Sequence, residues 1–252
     1  MIEVNAIYVI VAREFKKFVR ERSRFISAIA RPLIWLFLVG AGMSRLVSPE
    51  IGVSYMQFIF PGIIGMTILF SSIFSSISII WDKEFGFMKE ILVAPVSRVS
   101  IVIGKALSGT VISAIQAAII FALFPFLGIR IGVLAVLEVI TICVLLSFCL
   151  SSLGIVIATF YESFESFSVI MNFIVMPMFF LSGAMYPVKM LPEILKVVTR
   201  LNPFTYGIDA LKHTIFREVG ASDFSIFLDI GVLIVTSIIF VVAAGVMFGR
   251  KK

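Results

Sequence analysis

Residues 178–213 read MFFLSGAMYPVKMLPEILKVVTRLNPFTYGIDALKH. An apolar run breaks at Ser182-Gly183 and then meets Pro187, Pro192 and Pro203. Each proline removes a backbone donor and clashes with the turn before it, so no uninterrupted helix crosses this stretch. Backbone freed in this way beside a membrane span must be shielded by protein or lie at the surface. Leu191, Ile194, Leu195 and Val198 share one side of a helical turn set, with Lys196 and Arg200 opposite. That is the pattern of a helix resting in an interface.

Working outward, the rest of the chain is hydrophobic enough to make the membrane its solvent. Of its 252 residues, 60% are hydrophobic and 14% charged, against about 25% charged in soluble domains; the mean hydropathy is +1.14. Six apolar runs approach or exceed the roughly 20 residues that cross a bilayer as helix: Phe25–Leu46, Tyr55–Ile80, Ile103–Leu127, Ile131–Phe160, Ser168–Tyr186 and Phe224–Phe248. The fifth contains Pro177 and Gly183, which predict a kink or break. The fold class is an all-α integral membrane protein: residues 1–24 form an amphipathic interfacial helix, and 25–252 a six-helix transmembrane domain with short re-entrant or surface helices before the last span.

The interfacial helix rests on Val4, Ile7, Tyr8, Val11, Phe15, Phe18 and Val19, which recur at helical spacing while Arg13, Glu14, Lys16, Lys17, Arg20 and Glu21 take the other face. Its charge density does not read as a cleaved secretory leader. Lys and Arg placement puts this segment, the connection after the second span and the C-terminus on the cytoplasmic side, with both termini inside. The loop carrying Lys189, Lys196, Arg200, Lys212 and Arg217 is the misfit, because six spans turn it outward.

The net charge of +6 comes without a basic and aromatic platform, so nucleic acid is not an expected partner. Cys143 and Cys149 lie six positions apart in one span, on different helix faces, and form no disulfide with each other. No G-x-x-x-x-G-K-(S/T) loop is present to cradle ATP. Neither HExxH nor GxSxG occurs, and His213 stands alone, so neither a catalytic residue nor a metal set is assigned. Polar groups inside spans are few. Glu138 and Asp229 are expected to reach interfacial water or a basic partner, and the serine run Ser71, Ser72, Ser75, Ser76 and Ser78 reads as helix-packing surface.

A second irregular stretch, residues 81–105, reads WDKEFGFMKEILVAPVSRVSIVIGK. Asp82, Lys83, Glu84, Lys89 and Glu90 mix with Phe85, Phe87, Met88, Ile91 and Leu92, which predicts a short surface helix closed by Pro95.

Together the two stretches resemble type-2 ABC exporter permeases. In that family an E-x-G-x-x-(K/R)-E-x-L-x-x-P-x-SR pattern forms a coupling helix that docks on the ATPase. Glu84, Gly86, Lys89, Glu90, Leu92, Pro95, Ser97 and Arg98 match it, within a cytoplasmic coupling loop over 81–102. The loop around Glu162 and Glu165 makes a smaller second contact by the same likeness, although two solvated carboxylates explain these residues equally well. The family's SG-x-x-YP, LP and NP-x-TY signatures are matched by Ser182, Gly183, Tyr186, Pro187, Leu191, Pro192, Asn202, Pro203, Thr205 and Tyr206. The likeness makes these residues an outer gate, in an outer loop over 187–223.

The resemblance implies a cell-membrane export subunit without its own ATPase. Its partners would be two copies of an ATP-binding subunit, which hold the ATP and Mg, a second permease copy or a paralogue, and membrane lipid. A path lined by aliphatic and Phe side chains favours an amphipathic drug, lipid or lipid-linked glycan, and the run REFKKFVRERSRF into RPLIWLFLVGAG is similar to drug and lipo-oligosaccharide exporters. An ion-coupled secondary transporter and a membrane anchor are the alternatives; no internal repeat is visible to support the first.

Overall fold

The computed structural model describes residues 3–43, 53–93, 96–217 and 220–250, including all of their side chains except those of 22–24, 89, 91, 92, 170, 249 and 250. Eleven α-helices account for most of them, in the order α1 (Val4–Arg20), α2 (Arg22–Met43), α3 (Tyr55–Ser75), α4 (Ile77–Glu84), α5 (Phe87–Val93), α6 (Arg98–Phe121), α7 (Val133–Phe160), α8 (Phe164–Phe180), α9 (Glu193–Leu201), α10 (Pro203–Ile215) and α11 (Ile226–Arg250).

Among the described residues, five stretches are long and apolar enough to cross a bilayer: Phe25–Met43, Tyr55–Glu84, Arg98–Leu127, Val133–Phe160 and Ile226–Phe248. Each falls on a run picked out in the sequence. The end of the first run at Leu46 lies outside the described residues. The second is longer than expected, because α4 continues α3 after a local break at Ser76. Its 30 residues extend about 45 Å, beyond the roughly 30 Å hydrocarbon core. That excess carries Asp82 and Lys83 past the end of the apolar region.

The fifth run is corrected. The helix spans Phe164–Phe180 rather than Ser168–Tyr186, and its 17 residues reach about 25 Å. It starts early because the Ser163 hydroxyl accepts from Ser166 N–H at 3.3 Å. It ends early because the chain turns through Gly183, at φ +77°, where a side chain would be strained.

The α3–α4 stretch is the centre of the bundle: 72% of its most apolar window is buried, against 17% for α2 and for α11. It packs on α2, α6, α7 and α10. Close approach is paid for in glycine and serine: Ser72 donates to the Ser113 hydroxyl of α6 at 2.9 Å, and a Cβ on Gly154 of α7 would collide with Ser76. Ser72, Ser75 and Ser76 of the serine run are thus packing surface, whereas Ser71 lines a cavity and Ser78 joins the charge cluster described below.

The proline-rich segment is a re-entrant hairpin. Phe204 and Ile208 of α10 pack on Gly65, about 15 Å along α3 from its first residue. A Cβ at Gly207 would strike Leu146, about 20 Å along α7. From that depth α10 rises to Ile215, which lines a surface hollow with Val53, Gln57 and Arg130 at the starts of α3 and α7. The amphipathic α9 leads down to it, exposing Ile194, Val197, Val198 and Leu201, while Glu193 and Lys196 pair at 2.7 Å. The exposed apolar set is rotated slightly from the expected one, since Leu195 is half-buried.

Candidate functional site

At the end of the bundle that carries α1, four charged side chains from three helices meet. Lys105 of α6 is 5% exposed, and its ammonium donates to Asp82 Oδ2 at 2.6 Å, Glu14 Oε1 at 2.8 Å and the Ser78 hydroxyl at 3.0 Å. Arg13 adds bonds to Glu14 at 2.9 Å and Asp82 at 3.1 Å. Two cations and two carboxylates balance, so the buried charge is neutral and hydrogen-bonded, as burial requires. Burial pushes the Glu14 carboxyl up, but Lys105 and then Arg13 outweigh it and hold that carboxyl below its ordinary range.

Glu14 therefore does not share the solvent face of α1 with Lys16, Lys17 and Arg20. With Phe18 it forms the buried face, and Ile10 packs on Gly104. Val4, Tyr8, Phe15 and Val19 are left exposed and apolar, as a helix against lipid needs. The backbone N–H of Glu3 donates to the Ser100 hydroxyl at 2.8 Å, so α1 is pinned along the start of α6.

Lys83 points to a different neighbour. Its ammonium donates to the carbonyls of Ala158 at 2.7 Å, Tyr161 at 2.9 Å and Thr159 at 3.3 Å. Those are the unsatisfied carbonyls at the C-terminus of α7, where a cation is favoured by both hydrogen bonding and the helix dipole. Asp82 and Lys83, expected in the surface helix, are instead internal ties joining α4 to α1, α6 and α7.

Beyond these ties the chain turns at Gly86, φ +80°, into α5. Glu84, Phe85, Gly86, Phe87, Glu90 and Val93 are exposed, with Val93 at 86%; Met88 alone among the described side chains of this turn is buried. The side chains of Lys89 and Leu92, and Pro95 altogether, lie outside the described residues. Arg98 stands apart from that surface, donating to the Phe248 carbonyl near the end of α11 at 3.3 Å. Glu162 and Glu165 are exposed beside Lys83's carbonyl partners.

At the opposite end, the signature residues of the hairpin close its turns. Ser182 donates to the Phe179 carbonyl at 2.6 Å and accepts from Ala184 N–H at 3.2 Å. Tyr186 donates to the Phe180 carbonyl at 2.5 Å. Pro187 and Pro192 precede the helical turn 188–190 and α9. Asn202 caps α10 by accepting from Phe204 N–H at 3.1 Å while donating to the Met178 carbonyl at 2.7 Å, and Pro203 takes the first helical position, which needs no donor. Tyr206 donates to the Arg200 carbonyl at 2.8 Å.

The basic loop that fits poorly with topology is largely neutralised here. Lys189 faces Asp223 at 3.8 Å, Lys196 pairs with Glu193 and Arg217 pairs with Glu138 at 2.6 Å. Glu138 thus has the basic partner expected of it. Lys212 is buried, donating to the Gly183 carbonyl at 2.5 Å with its ammonium 4.1 Å from the Phe58 ring. Asp229 departs from expectation: it is 0% exposed and neither carboxylate oxygen has a hydrogen-bond partner.

Sequence reasoning missed the Glu14–Asp82–Lys105 cluster. Lys105 was legible as a charge inside an apolar run, but its position beside a loop made it look like a topological signal.

Five apolar stretches long enough to span, a short sixth apolar helix, a broken hairpin and a charge-tied connection define a multi-pass membrane protein. Residues 5–216 match the family model described as ABC-2 type transporter, and the chain belongs to that family. It is similar to "Putative transport permease ycf38" of Cyanophora paradoxa, with 32% identity over 215 residues, 83% of this chain and 73% of that one. "Nodulation protein J" of Rhizobium meliloti (strain 1021) is 29% identical over 194 residues, 73% and 71% of the two chains. "Inner membrane transport permease YadH" of Escherichia coli (strain K12) is 26% identical over 238 residues, 91% and 89%. Membership makes the chain the membrane subunit of an ABC-2 transport system, a family that works with an ABC ATP-binding partner.

Proposed function

We propose that this chain is the permease of an ATP-binding cassette exporter in the cell membrane, with its α1 end and both termini cytoplasmic. It moves an amphipathic drug, lipid or lipid-linked glycan. Two copies of the permease, or this chain and a paralogue, enclose the path, and two ATP-binding subunits that hold ATP and Mg dock on 81–102 with a lesser contact at Glu162. The hairpin built by Ser182, Gly183, Tyr186, Pro187, Pro192, Asn202, Pro203 and Tyr206 closes the outer side.

The observation that carries the reading is the contrast within residues 82–93. Glu84, Phe85, Phe87, Glu90 and Val93 offer both charge and apolar surface to a partner. Asp82 and Lys83, immediately before them, are tied to α1, α6 and α7. A push on α5 is therefore delivered to three helices rather than absorbed in a loose loop, because paired buried charges resist separation.

The test is ATP hydrolysis by the chain reconstituted in lipid with its ATP-binding subunit, against that subunit alone and against the Glu84→Lys/Glu90→Lys double variant. Stimulation should vanish in the double variant. Full stimulation in that variant would sink the docking role. Absence of any association would favour a membrane anchor, and transport driven by an ion gradient without ATP a secondary transporter.

A further inference from the structure

A cavity of ≈ 320 Å³ opens beside the charge cluster, between α2, α3–α4, α6 and the first residue of α8. Its walls include Phe70, Phe74 and Trp81; the polar members are Arg31, Gln116 and three hydroxyl side chains, and no acidic residue lines it. The volume is at the lower end of small-molecule sites, about 300–1,000 Å³, and the wall is largely apolar.

Arg31 sits about 9 Å along the apolar stretch from Phe25, where an unpaired cation is costly. Lys105, at a similar remove from the start of α6, has two carboxylates. Among the described residues no acidic side chain pairs with Arg31; its guanidinium carbon stands 5.5 Å from the Phe70 ring. Gln116, 2% exposed, leaves its side-chain carbonyl oxygen without a hydrogen-bond partner on the same wall. At the rim, the Lys17 ammonium lies 4.0 Å from the Trp81 ring centre. Gln116 Oε1, a buried acceptor lacking a donor, and Arg31, an exposed cation with no anion beside it among the described residues, line the same apolar cavity.

We infer that this cavity binds an amphiphile with an anionic head group drawn from the leaflet at the α1 end, its head on Arg31 and its apolar body along Phe70, Phe74 and Trp81. The ligand's fate as cargo rests on the exporter reading, whereas binding is a property of the permease alone. A head-group hydroxyl or amide N–H satisfies Gln116. Neutral amphiphiles leave Arg31 unpaired, and cationic ones are repelled.

The chain has two tryptophans, so Trp35→Phe leaves Trp81 on the cavity wall as the only tryptophan, excited at the red edge where the tyrosines do not absorb. The full chain in neutral detergent is titrated with brominated-chain phosphatidic acid or with phosphatidylcholine of the same chains, and quenching of Trp81 is read. Phosphatidic acid should half-quench at a mole fraction about tenfold lower, the worth of one charge-assisted contact. Arg31→Gln should bring the two lipids to within about twofold of each other, and Arg31→Lys should keep most of the preference. Lys16→Gln, which removes an exposed charge of α1 away from the cavity, should leave it unchanged. Glycerol phosphate without chains should not compete.

Equal quenching by both lipids, an effect of Lys16→Gln as large as that of Arg31→Gln, or full competition by glycerol phosphate would each overturn the inference. Displacement of the brominated probe by unbrominated lipids on the unsubstituted cavity repeats the comparison without relying on the Arg31→Gln protein folding; equal displacement by the two head groups overturns it. No ATPase is present, so failure here leaves the docking role of α5 standing, and failure there leaves this binding standing.

Discussion

Lys105 and Lys212 are both buried lysines, one near each end of the bundle, and their ammonium groups are satisfied in different ways. Lys105 has Glu14 and Asp82 within 2.8 Å. Lys212 has a carbonyl and an aromatic ring. The acids near it serve other groups: Asp209 accepts from the backbone N–H of Asp223 at 2.7 Å and of Phe224 at 2.8 Å, and Asp223 accepts from that of Val188 at 3.1 Å. Asp229 adjoins the Asp209 carboxyl and, among the described residues, no cation. At the α1 end, then, opposite charges lock separate helices together. At the α10 end the buried charges, Lys212 and Asp209, bond to backbone groups of the hairpin itself, and the ion pairs there involve exposed side chains. The buried ion cluster fixes the relative positions of α1, α4 and α6, whereas the buried charges of the hairpin fix its local chain path; the first arrangement transmits a push and the second holds a shape.

The largest expected effect breaks the α1-end pairing. Lys105→Met strands two carboxylates with only the half-exposed Arg13 and should destabilise the protein by about 3–5 kcal/mol. Denaturant unfolding in detergent measures the loss, and protease cleavage within α1 reports its release. Asp82→Asn removes one charged acceptor and should cost about 1.5–3 kcal/mol, by the same assay.

The matching change at the other end should be milder. Lys212→Met leaves the Gly183 carbonyl wanting a donor and takes a nearby cation from Asp209 and Asp223, which keep their backbone donors, and should cost about 1–2 kcal/mol. A loss as large as that of Lys105→Met would erase the contrast between the ends. Asp229→Asn should hold or raise the melting temperature, because it replaces one of two adjoining buried carboxyls with a neutral amide that can donate to Asp209; a clear fall would mean that this carboxyl has a partner in the assembled complex.

The smallest effect sharpens the role of Glu14. Its carboxyl is held below the ordinary value of 4.5, so its contribution is complete above about pH 4.5 and is lost as pH falls through the folded value. Release of α1, followed by proteolysis, should show that acid limb in the unsubstituted protein and lack it in Glu14→Gln. An identical acid limb in both would assign it to other groups.

Much of the fold was legible because its causes are local. Apolar run length located the spans, and Ser182-Gly183 with three prolines marked where helix must stop. The signature residues of the hairpin were also visible, although their work in closing turns was not, since Asn202 to Met178 and Tyr186 to Phe180 depend on how the chain folds back. The fifth span was placed late because composition does not show that Ser163 caps the helix. The candidate docking surface was half legible: Glu84 and Glu90 are exposed as their pattern suggests, but Asp82 and Lys83 carry the same kind of charge and are internal.

By itself the sequence determined that this is a membrane protein with both long spans and a broken one, because hydrophobic length and proline act on the residues where they stand. Tertiary structure alone decided which charges are partners. Glu14 and Lys105 are 91 positions apart, Lys83 and Tyr161 78, and Arg98 and Phe248 150. A Coulombic or hydrogen-bonded pair acts over a few ångströms of space, and only the packing of α3, α6 and α7 brings those positions within reach.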